Sequence, residues 1–272
     1  MRIAIIAGAG RFPFHVAQEA KRQGLGVVVM GIQGWVDRSL ASQVDTFEEV
    51  AVGQLGRFID RLKAHEIHQA IMAGKVTKEV LLDRGAVFGP EALGVLRTVR
   101  DVSVPALLGA IGTRLARDGI TLLDSSTFLQ ANLCPVGVLT SRAPTTMERE
   151  DIRVGLEAAR AISDLDIGQT VVVKGRVVVA VEALEGTDAT IRRAHALAGD
   201  GLVVVKTASA NQDRRCDLPV VGTETIATLT DSGVSCLAIE AGTTLLLDRE
   251  VLITSANAAN LCLIGVIPPS KE

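Results

Sequence analysis

The chain has 272 residues, of which 48% are hydrophobic and 22% charged, and its formal net charge is −3 at pH 7. This composition is typical of a folded globular protein with one large or two medium domains, and it excludes a disordered chain. The slight excess of acidic over basic residues argues against a protein that coats nucleic acid, so we expect no nucleic-acid partner.

The cysteines and the apolar segments indicate the cellular compartment in which the protein works. The four cysteines show no C-x-x-C spacing, which disfavours a zinc knuckle and a disulfide framework; they are Cys134, Cys216, Cys236 and Cys262. The apolar run at the start is too short for a signal peptide, and no run approaches the roughly 18 residues of a spanning helix. We therefore expect a reduced, cytoplasmic protein.

In the first part of the chain, short β-branched runs alternate with longer amphipathic segments. The predicted strands are residues 3–7, 27–30 and 70–73, and the predicted helices between them are residues 14–23 and 56–65. This order is typical of βαβ units, which form a parallel sheet covered by helices. Glycines follow three of the strands, at Gly8, Gly10, Gly31 and Gly74, so we expect their loops to face one crevice of the kind that binds nucleotides.

The domain boundary is predicted where the helical periodicity ends. Residues 91–119 show helical spacing, with Pro105 at a helix start or break, and residues 120–123 form a closing strand. Residues 134–144 lack periodicity, and a new helix is predicted to begin near Thr146, with Arg149 and Asp151 as capping residues. We therefore expect a Rossmann-like α/β domain over residues 1–137 and a second domain over residues 138–272.

The second domain is predicted to be mixed α+β. The expected strands are 170–173, 177–181, 202–206 and 236–239, and the expected helices are 189–197 and 223–232. A hairpin turn is predicted at Lys174-Gly175-Arg176, and another through Gly242 into residues 244–247. A last helix and strand end at Val266.

The turn at residues 8–13 is the first candidate site. It lies between a strand and a helix, where small residues let backbone N–H groups approach an anionic group. The third glycine of the dinucleotide fingerprint is missing, and the second strand lacks the acidic residue that binds the ribose. A tight turn without a ligand is the alternative interpretation.

The second candidate site is residues 182–188, which connect a strand to a helix. Three carboxylates and a hydroxyl near one helix N-terminus could bind Mg²⁺, which prefers oxygen ligands. Simple capping by Thr187 or Asp188 is the alternative, but it leaves Glu182 and Glu185 unexplained.

The third candidate site is the polar loop 206–219. It combines two acids with Lys206, Arg214 and Arg215, a composition suited to neutralising phosphate oxygens while a carboxylate binds metal or water. The alternative is a solvated surface loop, but a long polar segment between apolar strands is more often functional.

Five segments together resemble the LpxI family, the UDP-2,3-diacylglucosamine pyrophosphatases of lipid A biosynthesis. They occur in the same order over almost the whole chain, and they are residues 6–13, 73–76, 165–169, 180–188 and 212–219. The most specific are E-G-T-D at 185–188 and Q-D-x-R-x-D-x-P at 212–219.

The resemblance implies Mg²⁺-dependent hydrolysis of UDP-2,3-diacylglucosamine to UMP and 2,3-diacylglucosamine 1-phosphate (lipid X), with water attacking the β-phosphorus. It also implies two domains with the substrate between them, and a homodimer. Because the substrate carries two acyl chains, we expect a cytoplasmic protein in transient, peripheral contact with the inner membrane leaflet.

Site residues follow from the matched motifs. Asp217 is the position whose loss abolishes activity in the family. The expected catalytic residues are Asp217, Asp213, Lys206 and Arg215. The expected Mg²⁺ ligands are Asp217, Asp188, Glu185 and Glu182. The expected substrate-binding residues are Gly8, Gly10, Arg11, Gly74, Lys75, Gln169, Thr187 and Gln212.

The sequence departs from the family pattern at two places. Ser209 stands where relatives often have a second lysine, and Val104-Pro105 where they often have an acidic pair. An apolar face could bind acyl chains, although ordinary core is the commoner role of such a face; its residues are Leu93, Leu96, Leu107, Leu108 and Ile111. The alternative functions are a nucleotide-dependent oxidoreductase and a non-catalytic nucleotide-sugar or lipid-binding protein.

Overall fold

The computed structural model of the protein describes residues 1–76, 88–98, 104–208, 213–216 and 218–268. The chain divides into two units, each with its own sheet. The first unit is Met1–Gln130 with Asp213–Asp217, and the second is Ala131–Gln212 with Leu218–Glu272. No helix among the described residues is both long and apolar enough to cross a bilayer.

The first unit contains a five-stranded parallel sheet of order β3-β2-β1-β4-β5. Its strands are β1 (Arg2–Ala7), β2 (Gly26–Ile32), β3 (Thr46–Val50), β4 (Gln69–Ala73) and β5 (Thr121–Leu122). Its helices are α1 (Phe12–Arg22), α2 (Leu55–Ala64), α3 (Pro90–Thr98) and α4 (Val104–Arg117). Strand order and direction confirm the predicted Rossmann-like fold.

The apolar periodicity explains how this sheet is covered. β2 is buried along most of its length, as expected for a central parallel strand with helices on both faces. α2 buries Leu55, Phe58, Ile59 and Leu62, which share one face because their spacing follows the helical period. These side chains pack in one core with residues of the sheet, α3 and α4.

The second unit contains a mixed six-stranded sheet of order β6-β13-β11-β9-β7-β8. These strands are β6 (Gly137–Val138), β7 (Thr170–Lys174), β8 (Val177–Val181), β9 (Leu202–Lys206), β11 (Val234–Glu240) and β13 (Cys262–Val266). β10 (Val220–Val221) and β12 (Leu245–Leu246) form a separate parallel pair. The helices are α5 (Thr146–Asp164), α6 (Thr187–Ala198), α7 (Thr223–Asp231) and α8 (Arg249–Ala258). The prediction of a mixed α+β second domain is confirmed.

One predicted hairpin is confirmed and the other is wrong. β7 and β8 are antiparallel, and Gly175 and Arg176 both have positive φ, which suits a tight two-residue turn. The hairpin through Gly242 does not form, because β11 already has parallel partners on both sides, β9 and β13. The following strand, β12, pairs with β10 instead.

The start of α5 also differs from the prediction. The helix begins at Thr146, but the capping side chain is that of Thr145, whose hydroxyl accepts a hydrogen bond from the N–H of Glu148. The carboxylate of Glu148 accepts a hydrogen bond from the N–H of Thr145 in return, which completes a capping box. Asp151 accepts hydrogen bonds from the N–H groups of Gly175 and Arg176, so it stabilises the hairpin turn rather than the helix start.

Glu148 is expected to make folding stability depend on pH. Hydrogen bonds from Arg142, followed by those from Ser235 and Thr145, outweigh burial and lower the pKa of Glu148 to about 2 from 4.5. Arg142 binds both carboxylate oxygens, at 2.7 and 2.9 Å. Because the pKa is lowered on folding, this stabilisation is complete above about pH 4.5 and is lost as the pH falls toward 2.

Glu148→Gln tests this contribution, since glutamine keeps a capping oxygen but loses the charge. At pH 7 we expect a free energy of unfolding about 2–3 kcal/mol lower than that of the unmodified protein, measured by urea denaturation. The difference is expected to shrink between pH 4.5 and pH 2. A difference that stays constant over this pH range would show that the charge of Glu148 contributes nothing.

Candidate functional site

Several predicted site residues of the second unit meet where three strands begin or end. Lys206 is the last residue of β9, and its register partner across the antiparallel pair is Thr170, the first residue of β7. Glu182 directly follows β8, and Thr187 is the first residue of α6. We call Gln169, Thr170, Glu182, Thr187 and Lys206 the lysine network.

Hydrogen bonds connect the members of the lysine network. The Lys206 ammonium donates to the hydroxyls of Thr187 and Thr170, at 3.1 and 3.3 Å. The Thr187 hydroxyl donates to Glu182 at 2.8 Å, and the N–H of Gln169 donates to the other carboxylate oxygen at 3.2 Å. Lys206 is only 7% exposed. Two of its three donors are directed at threonine hydroxyls, so the third can bind an anionic oxygen.

Electrostatics keep Glu182 ionised despite its burial. Burial raises the pKa of Glu182, but the charge of Lys206 and hydrogen bonds from Thr170, Thr187 and the backbone of Gln169 together lower it below its usual value. The network is therefore a pre-oriented ammonium with an ionised carboxylate close by. Such a cation suits the developing charge of a phosphoryl group.

Two glycines shape this part of the second unit. A Cβ at Gly168 would lie 2.2 Å from the carbonyl oxygen of Glu182, so only glycine allows the two segments to approach so closely. Gly186 has φ of 82°, a conformation that favours glycine, and it immediately precedes α6. These glycines explain the positions of Gln169 and Thr187 beside Glu182.

Two of the three predicted Mg²⁺ ligands of the second unit, Glu182 and Glu185, already have protein partners. Glu182 belongs to the lysine network, and Glu185 accepts hydrogen bonds from Arg193 at 2.8 Å and from the N–H of Ala183 at 3.1 Å. Asp188 lies in the first turn of α6, where a negative charge is favourable. In the part of the chain that the structure describes, no three His, Cys, Asp or Glu side chains converge to hold a metal ion. Their assignment as ligands stays a prediction.

In the first unit, Gly8, Gly74 and Lys75 lie together because two backbone segments pair there. The N–H groups of Ala9 and Lys75 donate to each other's carbonyl oxygens at 2.9 Å, and the N–H of Gly8 donates to Ala73. A Cβ at Gly8 or Gly74 would lie within 2.7 Å of the opposite backbone. Close backbone packing therefore requires both glycines, and these three N–H groups are directed at carbonyls rather than at an anion.

The other two predicted binding residues of this turn have different environments. Gly10 has φ of 92° and open space around its α-carbon. The exposed Arg11 guanidinium lies over the ring of Phe14, 4.6 Å from its centroid. Substrate binding by the turn residues stays a prediction.

The polar loop returns to the first unit at residues 213–216. Arg215 forms a two-pronged ion pair with Asp213, at 2.6 and 2.9 Å, which lowers the pKa of Asp213. Arg214 pairs with Asp124 at 2.8 Å, and the hydroxyl of Ser125 donates to the carbonyl oxygen of Arg215 at 2.9 Å. The predicted residues Gln212 and Asp217 lie outside the described residues.

Sequence reasoning missed four residues that anchor the polar loop. Asp124 and Ser125 bind it in the first unit, and the only signal in the sequence is that polar residues follow a short strand. In the second unit, the Arg160 guanidinium donates to the carbonyl oxygen of Ala208 at 2.9 Å. The N–H of Ala208 donates to the carboxylate of Glu240, also at 2.9 Å. Arg160 and Glu240 pair at 3.5 Å, and they are 80 residues apart, so no local pattern connects them.

Comparison with known proteins identifies the family. The LpxI N-terminal domain matches residues 2–132, and the LpxI C-terminal domain matches residues 135–264. The chain belongs to the LpxI family.

A curated relative and a solved structure are also similar. The chain is 30% identical over 284 residues to the UDP-2,3-diacylglucosamine pyrophosphatase LpxI of Caulobacter vibrioides, covering 99% of both chains. A structure of glycinamide-RNase-transformylase T from Mycobacterium tuberculosis is 17% identical, with 67% of this chain and 44% of that chain covered and a TM-score of 0.25. That second likeness is too small to support any statement about the fold.

Proposed function

We propose that the protein hydrolyses the pyrophosphate bond of UDP-2,3-diacylglucosamine to UMP and 2,3-diacylglucosamine 1-phosphate, a step of lipid A biosynthesis. The observation that carries this proposal is the end-to-end similarity to a pyrophosphatase of that name, with both family domains in order. The alternative of a nucleotide-dependent oxidoreductase has no comparable support, since the ribose-binding acid is missing.

In the proposed reaction, the oxygen of a water molecule attacks the β-phosphorus. The bond from that phosphorus to the bridging oxygen breaks, UMP leaves with the bridging oxygen, and a carboxylate takes the proton of the water. Anionic phosphate oxygens repel an incoming nucleophile, so the site must neutralise their charge. We assign that task to Lys206, with Thr170, Thr187 and Glu182 holding its ammonium in place.

In the proposal, Asp217 is a Mg²⁺ ligand or the base that orients the attacking water, because it matches the motif position whose loss abolishes activity in the family. Arg215 and Asp213 belong to the same motif, and Arg215 is proposed to contact phosphate. Gln169 and Thr187 are proposed to position the substrate next to Lys206.

Mg²⁺ is part of the proposal. When bound, the ion would withdraw charge from the phosphate oxygens. Mg²⁺ is usually held by one or two carboxylates together with substrate phosphates and waters, so a cluster of three carboxylates is not required. Asp217 and Asp188 are the proposed protein ligands, since Glu182 and Glu185 are already engaged by Lys206, threonines and Arg193.

The proposed substrate also implies where the protein works. A sugar with two acyl chains resides in a membrane, so we propose a cytoplasmic protein in transient peripheral contact with the inner leaflet. A homodimer is proposed on the family resemblance alone.

Product analysis in ¹⁸O-labelled water tests the proposed function. The protein is incubated with UDP-2,3-diacylglucosamine and Mg²⁺, and both products are analysed by mass spectrometry. We expect label only in 2,3-diacylglucosamine 1-phosphate, because attack at the β-phosphorus places the water oxygen there. Addition of EDTA is expected to suppress turnover.

Three outcomes would contradict parts of the proposal. Label in UMP would place the attack on the α-phosphorus. Full turnover in EDTA would remove the metal from the reaction. Absence of both products, while the substrate still binds, would favour the non-catalytic binding protein.

A further inference from the structure

Residues 124–126 come shortly after β5, at the carboxyl edge of the first unit's sheet, and they bind the backbone of the polar loop. The N–H of Ser125 donates to the carbonyl oxygen of Arg214 at 2.9 Å. The Ser125 hydroxyl lies 2.9 Å from the carbonyl oxygens of both Arg215 and Met72, and Met72 belongs to β4. Ser125 is only 2% exposed, so these bonds are shielded from water. One serine therefore connects the loop backbone to the sheet.

Asp124 adds a charged contact to the same segment. One carboxylate oxygen accepts hydrogen bonds from the N–H and the hydroxyl of Ser126, at 2.7 and 2.5 Å, and the other accepts from the Arg214 guanidinium at 2.8 Å. Ser126 is fully buried, and its hydroxyl also accepts a hydrogen bond from Gln130 at 2.7 Å. Burial raises the pKa of Asp124, but the bonds from Ser126 and Arg214 outweigh it and hold this pKa below its usual value. Asp124 is therefore an ionised, pre-oriented acceptor for Arg214.

These contacts act on the backbone next to the expected catalytic residues. Arg214 and Arg215 belong to the Q-D-x-R-x-D-x-P motif, and Asp217 lies two positions further along the chain. Cys216, between Arg215 and Asp217, packs against the core of the first unit. A displacement of about 1 Å at a group that contacts the substrate can cost about 10²-fold in rate. Residues that fix this backbone can therefore control the chemical step without touching the substrate.

We propose that Asp124 and Ser125 are positioning residues for the hydrolysis, which hold the motif backbone so that Arg215 is presented to the phosphate. The inference rests on the proposed function, which gives Arg215 its role. Both side chains are engaged by the loop itself, so neither is expected to contact the substrate. Their loss should lower kcat and leave KM nearly unchanged.

Asp124→Asn in the full-length protein tests this inference, because asparagine keeps an oxygen acceptor but loses the charge that binds Arg214. Asp45→Asn is the matched control. One oxygen of Asp45 also accepts a hydrogen bond from a backbone N–H, that of Val27 at 2.7 Å, and the other pairs with a cation, Lys21 at 3.0 Å. Asp45 directly precedes β3, so the control lies at the opposite edge of the same parallel sheet.

Cys216 provides a readout that does not depend on activity. Of the four cysteines it alone is half-buried, and the other three are buried. Release of the motif from Asp124 should expose its thiol, so the rate of alkylation by iodoacetamide, followed by peptide mass spectrometry, reports the position of the motif. We expect Asp124→Asn to raise this rate about threefold and Asp45→Asn to leave it unchanged.

Hydrolysis of UDP-2,3-diacylglucosamine provides the second readout, under conditions where urea denaturation shows every variant to be folded. We expect Asp124→Asn and Ser125→Ala each to lower kcat about tenfold with little change in KM, and Asp45→Asn to keep kcat. The double variant Asp124→Asn with Arg214→Gln should lose no more than about tenfold, because the two side chains act through one ion pair. Losses that multiply would show that the two side chains act independently and would overturn the inference.

The outcomes separate this inference from the proposed function. Normal kcat in Asp124→Asn would overturn the positioning role and leave the pyrophosphatase intact. A lower kcat with normal alkylation of Cys216 would mean that Asp124 acts on the substrate itself, which would overturn the inference as well. Faster alkylation in Asp124→Asn but not in Asp45→Asn, without hydrolysis by the unmodified protein, would keep Asp124 as the anchor of the motif and remove the pyrophosphatase.

Discussion

Asp217→Asn is expected to lower kcat for hydrolysis of UDP-2,3-diacylglucosamine by about 10³-fold. Asparagine has nearly the same size as aspartate, but its amide neither accepts the proton of the attacking water nor binds Mg²⁺ with a negative charge. The assignment rests on the second acid of the Q-D-x-R-x-D-x-P motif. Single-turnover kinetics with excess enzyme would measure the chemical step directly.

Asp213→Asn is the matched control for this prediction, because it makes the same chemical change four residues earlier. Asp213 forms a two-pronged ion pair with Arg215, so its loss should act through the position of that guanidinium. We expect a loss of about tenfold, well below that of Asp217→Asn. Equal losses in the two variants would contradict the special role of Asp217, and so would normal turnover in Asp217→Asn.

The regular parts of the fold were predictable because local patterns determine them. The apolar run of β1 and the spacing of Leu55, Phe58, Ile59 and Leu62 in α2 each identify an element without tertiary information. β3 was missed because Thr46–Val50 contains Glu48 and Glu49, whose charges obscure the apolar pattern of an edge strand. Arg38 pairs with Glu49 at 2.6 Å, a contact that the local pattern does not predict.

The candidate site was predictable as a set of residues but not as an arrangement. The sequence placed Lys206 in one motif and Glu182 and Thr187 in another, and in the structure hydrogen bonds join the three side chains. The sequence interpreted Glu182 as a metal ligand, whereas in the structure its carboxylate lies in the field of Lys206 and accepts a hydrogen bond from Thr187. Such pairings depend on strand register, since β7 and β9 must align Thr170 with Lys206.

Lys206→Met is expected to lower kcat by about 10²- to 10³-fold, because methionine keeps most of the apolar stem but removes the charge that neutralises phosphate oxygens. It should also leave the partly buried Glu182 carboxylate without the compensating charge of Lys206, which reduces the free energy of unfolding by about 1–3 kcal/mol. Lys174→Met is the matched control. Lys174 also ends a strand of this sheet, but its ammonium donates to the carbonyl oxygen of Ala198, so kcat should stay unchanged.

The double variant Lys206→Met with Glu182→Gln separates a catalytic from a structural role for Lys206. Removing both charges should restore much of the lost stability, since no partly buried charge then lacks its partner. If Lys206 contacts the phosphate, turnover should remain about 10²-fold or more below that of the unmodified protein although the fold has recovered. Recovery of both stability and kcat would show that Lys206 serves only to neutralise Glu182. The lysine network would then be part of the scaffold, and the cation for the pyrophosphate would have to come from Arg215 or Mg²⁺.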